Sequence, residues 1–152
     1  MSKKLTAGLI SFFGLVALCT TTTPAAEPSL PMPAIIQKGL DLYKRGGVGI
    51  AFDAWQSGGA IEGDSSVAAK SRAFKDMTGL VGDYKSSEVI QLKEITRTSR
   101  IVYVAMNFKR GAIYARFLLY HAENDWVVQD MTFSIRPEAV MPWLALESET
   151  AQ

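Results

Sequence analysis

Hydrophobic and polar residues alternate almost without interruption between Arg100 and Ile135. Three segments with this pattern follow one another along the chain, and only short polar turns separate them: RIVYVAMNFK, AIYARFLLYH and WVVQDMTFSI. A two-residue period is typical of strands that bury one face. The pattern therefore predicts an antiparallel meander, whose apolar face needs a covering layer.

The preceding part of the chain has helical periodicity instead. It predicts helices at about 34–45, 48–56 and 66–80, and Gly pairs follow the first two. A first strand at about 88–96 then leads into the meander. Helices followed by strands predict an α+β fold, with three N-terminal helices packed on a four-stranded antiparallel sheet.

The second and third strands are predicted to form a hairpin. A two-residue turn at Arg110-Gly111 would pair Lys109 with Ala112 and set apolar side chains opposite one another. The inner face would then consist of Val102, Val104, Met106, Phe108, Ile113, Phe117 and Leu119. The outer face would carry Tyr103, Ala105, Asn107, Tyr114, Arg116, Leu118 and Tyr120.

The faces of the fourth strand depend on the length of the turn before it. If residues 122–125 form a four-residue loop, His121 faces Trp126. Trp126, Val128 and Asp130 would then share the inner face, and a loop one residue longer or shorter would reverse this. The outer face of the strand would carry Gln129, Met131 and Phe133.

The N-terminus is typical of an export signal. Two lysines precede an apolar run of 14 residues, Leu5–Leu18, and the small-residue stretch TTTTPAA follows. The run is shorter than the roughly 20 residues that span a bilayer, and it fits a signal peptide. Cleavage after Ala25 would give an exported protein, periplasmic or secreted. Alternatively, Cys19 carries a lipid anchor, although Leu18 stands where a small residue is usual.

Cleavage after Ala25 would leave 127 of the 152 residues, enough for one domain with a real core. The chain then divides into a signal peptide (1–25), an extended proline-rich linker (26–33), a domain (34–136) and an irregular tail (137–152). No integral membrane span is expected after cleavage.

Composition argues against several chemistries. Cys19 is the only cysteine, so the mature chain would have no disulfide, no thiol nucleophile and no cysteine-ligated metal. The single histidine, His121, cannot supply the multi-histidine sets of common zinc sites. Loss of the two N-terminal lysines leaves 14 basic against 15 acidic residues, a net charge of about −1, and the charges are interspersed. We therefore expect no cofactor, no metal and no nucleic-acid partner.

Three helices, a GDYKS turn and a late strand that begins with Trp after an acidic turn (ENDWVVQDMTF) resemble the NTF2-like, or cystatin-like, α+β cone fold. Within that fold the chain is similar to small secreted bacterial proteins of the DUF4019 and DUF3887 type, over roughly residues 34–135. The resemblance implies a curled sheet around a long helix, often with a pocket inside the cone and a dimer formed through the sheet. Some NTF2-like proteins are enzymes, such as ketosteroid isomerase-like proteins, and many only bind or scaffold.

Asp130 is the main candidate for catalysis and ligand binding. A carboxyl group among apolar neighbours would act as a general base or a hydrogen-bond donor. NTF2-like isomerases use such a carboxylate with a tyrosine, but no inner-face tyrosine is predicted here. The alternative is that Asp130 faces solvent or pairs with Arg116 across the sheet. Trp126, at the start of its strand, is predicted to pack in the core or at the rim, and secondarily to stack on a ligand.

The outer face is the candidate interface. Tyr103, Tyr114, Arg116 and Tyr120 form an aromatic and arginine-rich surface that is typical of protein interfaces, although an ordinary solvated face also fits. A homodimer through this face is the simplest partner, and an envelope protein is another. Two functions are open: a non-enzymatic binding or interaction module, and a small-ligand pocket protein or isomerase-like enzyme that uses Asp130.

Overall fold

The computed structural model describes residues 30–143, so the predicted signal peptide and Cys19 lie outside the described residues. The four strands form one antiparallel sheet in the order β1-β2-β3-β4. The predicted α+β class, with three helices and four antiparallel strands, is confirmed. The elements are α1 (Ala34–Gly46), α2 (Val48–Gln56), α3 (Ser65–Val81), β1 (Tyr84–Thr96), β2 (Ser99–Phe108), β3 (Gly111–Ala122), β4 (Asp125–Ser134) and a 3-10 helix (Pro137–Ala139). None of the helices in residues 30–143 has the length and apolarity that a membrane crossing requires.

Aromatic rings fill the space between the helices and the inner face of the sheet. Trp55 of α2 is fully buried, and its indole N–H donates to the Ile36 carbonyl oxygen of α1 at 3.2 Å. Gly39 of α1 lies against this indole and leaves no room for a side chain. The rings of Phe74 and Phe133 meet edge-on at 4.9 Å. The interior is therefore packed solid around Trp55, and it has the character of a core.

The β2–β3 hairpin differs from the prediction by two residues in register. Phe108 pairs with Gly111, so the turn is Lys109-Arg110 and begins one residue earlier than predicted. The turn is anchored to the end of α3, because the backbone N–H of Arg110 donates to the Val81 carbonyl oxygen at 2.8 Å. A shift of two residues keeps every side chain on the same face. All seven residues predicted for the inner face of this hairpin are buried.

The first half of β4 follows the prediction. His121 pairs with Trp126, and Leu119 pairs with Val128. The connecting loop is tighter than predicted, because Ala122 also pairs with the first residue of β4 and only two residues form the turn. Trp126 and Val128 therefore lie on the inner face, as predicted.

The second half of β4 departs from the prediction because the strand contains a β-bulge. Leu118 pairs with Asp130, so that Gln129 is an extra residue on β4. An extra residue reverses the faces of everything that follows it. Met131 and Phe133 consequently join the core, and Asp130 lies on the outer face. The predicted inner position of Asp130 is wrong, and so are the outer positions of Met131 and Phe133.

The outer face of the sheet is partly covered by the chain's own C-terminal segment. After the 3-10 helix, Val140 and Met141 are buried against Tyr103 of β2. Trp143 meets the ring of Tyr103 edge-on, with 4.7 Å between the ring centres. The described part of the tail, which was predicted to be irregular, therefore includes a packed segment that shields the middle of the sheet.

Candidate functional site

An open cleft lies at the end of the sheet where β2 and β4 begin. Arg100 of β2, Trp126 of β4 and Lys38 of α1 share its wall, and its volume is about 500 Å³. This size is within the range of small-ligand pockets, which is roughly 300–1,000 Å³. The other lining residues are Ala34, Ile35, Ser57, Gly58, Asp125 and Val127.

Arg100 and Trp126 form the centre of this cleft. The guanidinium carbon of Arg100 lies 3.8 Å from the centre of the Trp126 ring, which is a close cation–π contact. His121 meets the same indole edge-on at 5.1 Å. The strand pairing explains this cluster. Arg100 pairs with Leu119, and His121, two residues further along β3, pairs with Trp126. The side chains of Arg100, His121 and Trp126 therefore all project from the inner face of the sheet.

The Arg100 guanidinium has an unmet hydrogen-bonding requirement. Its Nε is buried and lacks a hydrogen-bond partner among residues 30–143, and no ion pair in this part of the chain includes Arg100. Burial lowers the pKa of Arg100, and the nearby Glu94 carboxylate raises it. Arginine remains protonated in proteins, so the cleft holds a cation with a free donor. An anionic ligand group in the cleft would pair with the charge of this guanidinium.

The surroundings of Arg100 add further positive potential. Lys38 contributes a second cation to the cleft, and Asp125 contributes one carboxylate. The first turn of α1 also opens into the cleft at Ala34, and no side chain caps it. Unsatisfied N–H groups at a helix N-terminus attract anions. Glu94, the cross-strand neighbour of Arg100, lies outside the lining, so the lining itself carries two cations against one carboxylate and favours an anionic group.

Asp130, the main candidate from the sequence, does not line this cleft. Its carboxylate contacts the Lys70 Nζ of α3 at 2.7 Å and a terminal nitrogen of Arg116 at 3.5 Å. The structure therefore agrees with the alternative interpretation, in which Asp130 pairs with Arg116 across the sheet. Both side chains lie on the outer face. This arrangement is an ion-pair link between α3 and the sheet, not a carboxyl group in an apolar pocket.

The four predicted interface residues have different surroundings. Tyr103 is only 5% exposed, because Val140 and its neighbours cover it. Tyr114 is half-buried against the same cluster, and Arg116 takes part in the ion pair with Asp130. Tyr120 is 42% exposed. The outer surface that is open to a partner is consequently smaller than the sequence pattern indicated.

Sequence reasoning named Trp126 as a ligand-binding candidate but overlooked Arg100 and Lys38. A signal for Arg100 exists in the pattern, because Arg100 is in phase with Val102 and Val104 of the buried face. A charge in that phase at a strand end needs a ring to stack on, an ion-pair partner or a ligand. Lys38 has no comparable signal, because only the packing of α1 brings it to the cleft.

Within residues 30–143, no group of three or more His, Cys, Asp or Glu side chains is arranged to hold a metal ion. No protein-family model, curated protein or solved structure matches the chain. The described residues thus form an α+β domain with a filled core and a cationic, aromatic cleft at one end of its sheet.

Proposed function

We propose that the protein is a non-enzymatic binding module, NTF2-like in its cone architecture, and that it binds an anionic group in the cleft at Arg100. The proposal rests on one observation. The Arg100 guanidinium stacks on Trp126 in the wall of the cleft, and no ion pair within the described chain neutralises its charge. The helix-first order and the antiparallel sheet support the NTF2-like assignment. We also propose export to the periplasm or beyond, with lipid attachment at Cys19 as the alternative.

The walls of the cleft indicate the chemistry of the ligand. The cations and the uncapped start of α1 favour an oxyanion, either a carboxylate or a phosphate. Ala34, Ile35 and Val127 provide apolar surface beside this position. Arg100 already covers the Trp126 ring, so the apolar part of the ligand is expected to contact these aliphatic side chains. The ligand class is therefore a small organic anion with an apolar portion.

The cleft gives more support to binding than to catalysis. The one imidazole, His121, packs edge-on against Trp126, which stiffens the aromatic wall. Asp130, on which the isomerase-like alternative depends, is paired with Lys70 and Arg116 on the outer face. A general base in an apolar pocket needs a different environment. The enzyme hypothesis thus has no geometric support at its own candidate residue.

Calorimetry and tryptophan fluorescence test the binding proposal. Phenylacetate and inorganic phosphate serve as anionic probes, and 2-phenylethanol serves as the neutral counterpart of phenylacetate. We expect phenylacetate to bind and 2-phenylethanol not to bind. Arg100→Met keeps most of the side-chain volume and removes the charge, so it should weaken binding about 10- to 100-fold, the usual effect of losing a hydrogen bond to a charged group.

Arg97→Met is the matched control, because Arg97 is exposed in the turn after β1 and does not line the cleft. Circular dichroism of both variants checks that the fold is retained. The proposal fails if no anionic probe binds, if the neutral alcohol binds as tightly as the acid, or if Arg100→Met and Arg97→Met have the same effect.

A homodimer through the outer face remains a separate prediction. The observation that favours it is the 42% exposure of Tyr120 on an otherwise partly covered face. Light scattering after size exclusion should detect a dimer that Tyr120→Glu dissociates. A wild-type protein that stays monomeric at high concentration would remove this prediction. Tyr120 is a better test position than Tyr114, because Tyr114 contributes to a packed cluster.

A further inference from the structure

A second surface, at the other end of α1, concentrates positive charge. An open groove of about 1,020 Å³ lies among the C-terminal ends of α1 and α3 and the start of β1. Lys44, Lys75 and Lys85 line it, one from each of these elements. Asp83 is the one carboxylate among the described residues that line this groove. We refer to the surface formed by these three lysines as the basic groove.

The β2–β3 turn extends this positive surface. The backbone N–H of Lys109 donates to the Asp83 carbonyl oxygen at 2.8 Å, so the turn is attached to the wall of the groove. Arg110 donates three hydrogen bonds, of 2.8 to 3.0 Å, to the carbonyl oxygens of Gly79 and Leu80. These bonds provide donors for carbonyl oxygens that the end of α3 leaves unpaired, and they hold the charged Arg110 side chain beside the groove.

An apolar side chain projects from the same region. Leu80 is 65% exposed, more than any other large hydrophobic residue in the described part of the chain. It stands in the last turn of α3, directly after Gly79, which lines the basic groove, and before the buried Val81. Leu80 is absent from both core clusters, so its side chain is available to an external apolar phase.

Five cations and one exposed leucine therefore occupy one end of the domain, against two carboxylates: Asp83 and Asp41, which contacts the Lys44 Nζ at 3.6 Å. The cations come from four separate stretches of the sequence, and the net charge of the whole chain is only +1. The interspersed charges of the sequence conceal this surface, which exists only after folding. Basic residues near an exposed apolar side chain are typical of proteins that lie on membrane surfaces.

We propose that the basic groove and Leu80 bind the surface of a bilayer that contains anionic phospholipid. Headgroup phosphates would lie over the three lysines, and Leu80 would enter the boundary between headgroups and acyl chains. Lysine is a flexible point charge that suits a fluid array of phosphates. Arg110, the residue best suited to fixed bidentate recognition, is occupied by backbone carbonyls. The surface thus fits lipid better than a single acidic protein partner.

Vesicle co-sedimentation tests this proposal. The protein is the chain from Ala26 onward, which contains the described domain and lacks the apolar run that would itself enter a bilayer. The vesicles consist of phosphatidylcholine alone or mixed with phosphatidylglycerol. We expect binding to the mixed vesicles only, and we expect it to weaken as salt is raised. Lys75→Glu combined with Lys85→Glu should reduce the affinity at least tenfold.

The matched control is Lys93→Glu combined with Arg97→Glu, because it makes the same change in charge at exposed positions near the far end of β1. It should leave most of the binding intact. Leu80→Ser should weaken binding severalfold without changing its dependence on salt. Equal losses in the two charge-reversal variants would show a general charge effect and would overturn the assignment of the groove.

Three further results would also contradict the proposal. The first is equal binding to both kinds of vesicle, and the second is vesicle binding that Leu80→Ser does not change. The third is saturation of the groove by free inorganic phosphate or by polyglutamate with the same affinity as vesicles, which would identify a soluble anion or an acidic protein as the partner. Arg100→Met, the variant of the cleft, should bind vesicles normally, so this experiment is independent of the ligand measurements.

Discussion

Replacing Gly39 with alanine should destabilise the domain, although alanine is the better helix former. In the interior of a helix alanine is favoured over glycine by about 1 kcal/mol. At Gly39, however, an added Cβ would overlap Nε1 and the adjacent carbons of the Trp55 indole. The steric conflict opposes the gain in helix propensity, and the packing around Trp55 decides which effect is larger.

Trp55 cannot move aside easily. Its ring centre lies 5.4 Å from that of Phe52, 5.3 Å from that of Phe117 and 5.8 Å from that of Phe133. Overpacking such a core costs about 1–3 kcal/mol. A displaced indole would also lose its hydrogen bond to Ile36, which costs about 1–3 kcal/mol when the donor stays buried. After the helix gain is subtracted, Gly39→Ala should lower the free energy of unfolding by about 1–5 kcal/mol.

Gly79 provides the matched control within the same molecule. It lies inside α3, and no atom lies within 4 Å of the position that a Cβ would take. Gly79→Ala should therefore stabilise the protein by about 0.5–1 kcal/mol. Guanidinium denaturation measures both variants, with the midpoint shifting at constant slope. A Gly39→Ala midpoint at or above that of the wild type would refute the tight contact between Gly39 and Trp55.

Three further predictions concern charged and polar groups, and urea denaturation measures each of them. Burial raises the pKa of Tyr43. The contribution of Tyr43 to stability is therefore complete below the unfolded pKa of about 10, and it is lost as the pH rises through the folded pKa. Tyr43→Phe should lose less stability than the wild type over that pH range. Asp64 is the N-cap of α3, where its carboxylate accepts a hydrogen bond from the Ser66 backbone N–H, and hydrogen bonds from Ser66 lower its pKa. Its contribution to stability is therefore complete above a pH of about 4 and is lost as the pH falls. Asp64→Asn should flatten this loss of stability in acid, and an unchanged loss would contradict the role of the cap. A double-mutant cycle of Lys70→Met and Asp130→Asn should give a coupling free energy of about 0.5–1 kcal/mol, because the two side chains of this ion pair are 32% and 36% exposed. A coupling free energy of zero would argue against the ion-pair link between α3 and the sheet.

The inner face of β2 and β3 could be predicted because side chains alternate between the two faces of a strand. A register error of two residues therefore leaves every side chain on its correct face. The register was wrong by two residues, yet Val104, Ile113 and Phe117 are buried as predicted. The position of the turn, in contrast, depends on Arg110. This residue contacts carbonyl oxygens of α3 that lie about 30 residues earlier in the sequence. Local hairpin preferences do not contain that information.

The bulge in β4 had a sequence signal that strict alternation concealed. Without an extra residue, the inner face would carry Trp126 and Val128 and then Asp130. With one extra residue at Gln129, the same face continues with the apolar Met131 and Phe133. Continuity of the apolar face thus favours the bulge. The packing of Gly59 directly against the Val128 carbonyl oxygen, by contrast, is tertiary and could not be predicted.

The candidate site could be predicted only in part, for a related reason. Trp126 stood out because an aromatic residue begins a strand, but its partner Arg100 lies on a different strand that is not its neighbour. Tyr103 was assigned to an open surface because the apolar residues of the tail gave no sign of where they pack. Contacts between distant segments decided both outcomes, and a periodic pattern describes only one segment at a time.

Helix α1 connects the two surfaces that we propose for binding. Its first turn opens into the cleft, Tyr43 and Lys44 near its end line the basic groove, and its 13 residues span about 20 Å. With its axis upright on a bilayer held by the groove, α1 would act as a spacer of fixed length. The electrostatic potential of an anionic membrane decays over about 8 Å at physiological ionic strength. A negatively charged ligand would then reach Arg100 outside the zone in which the lipids repel it.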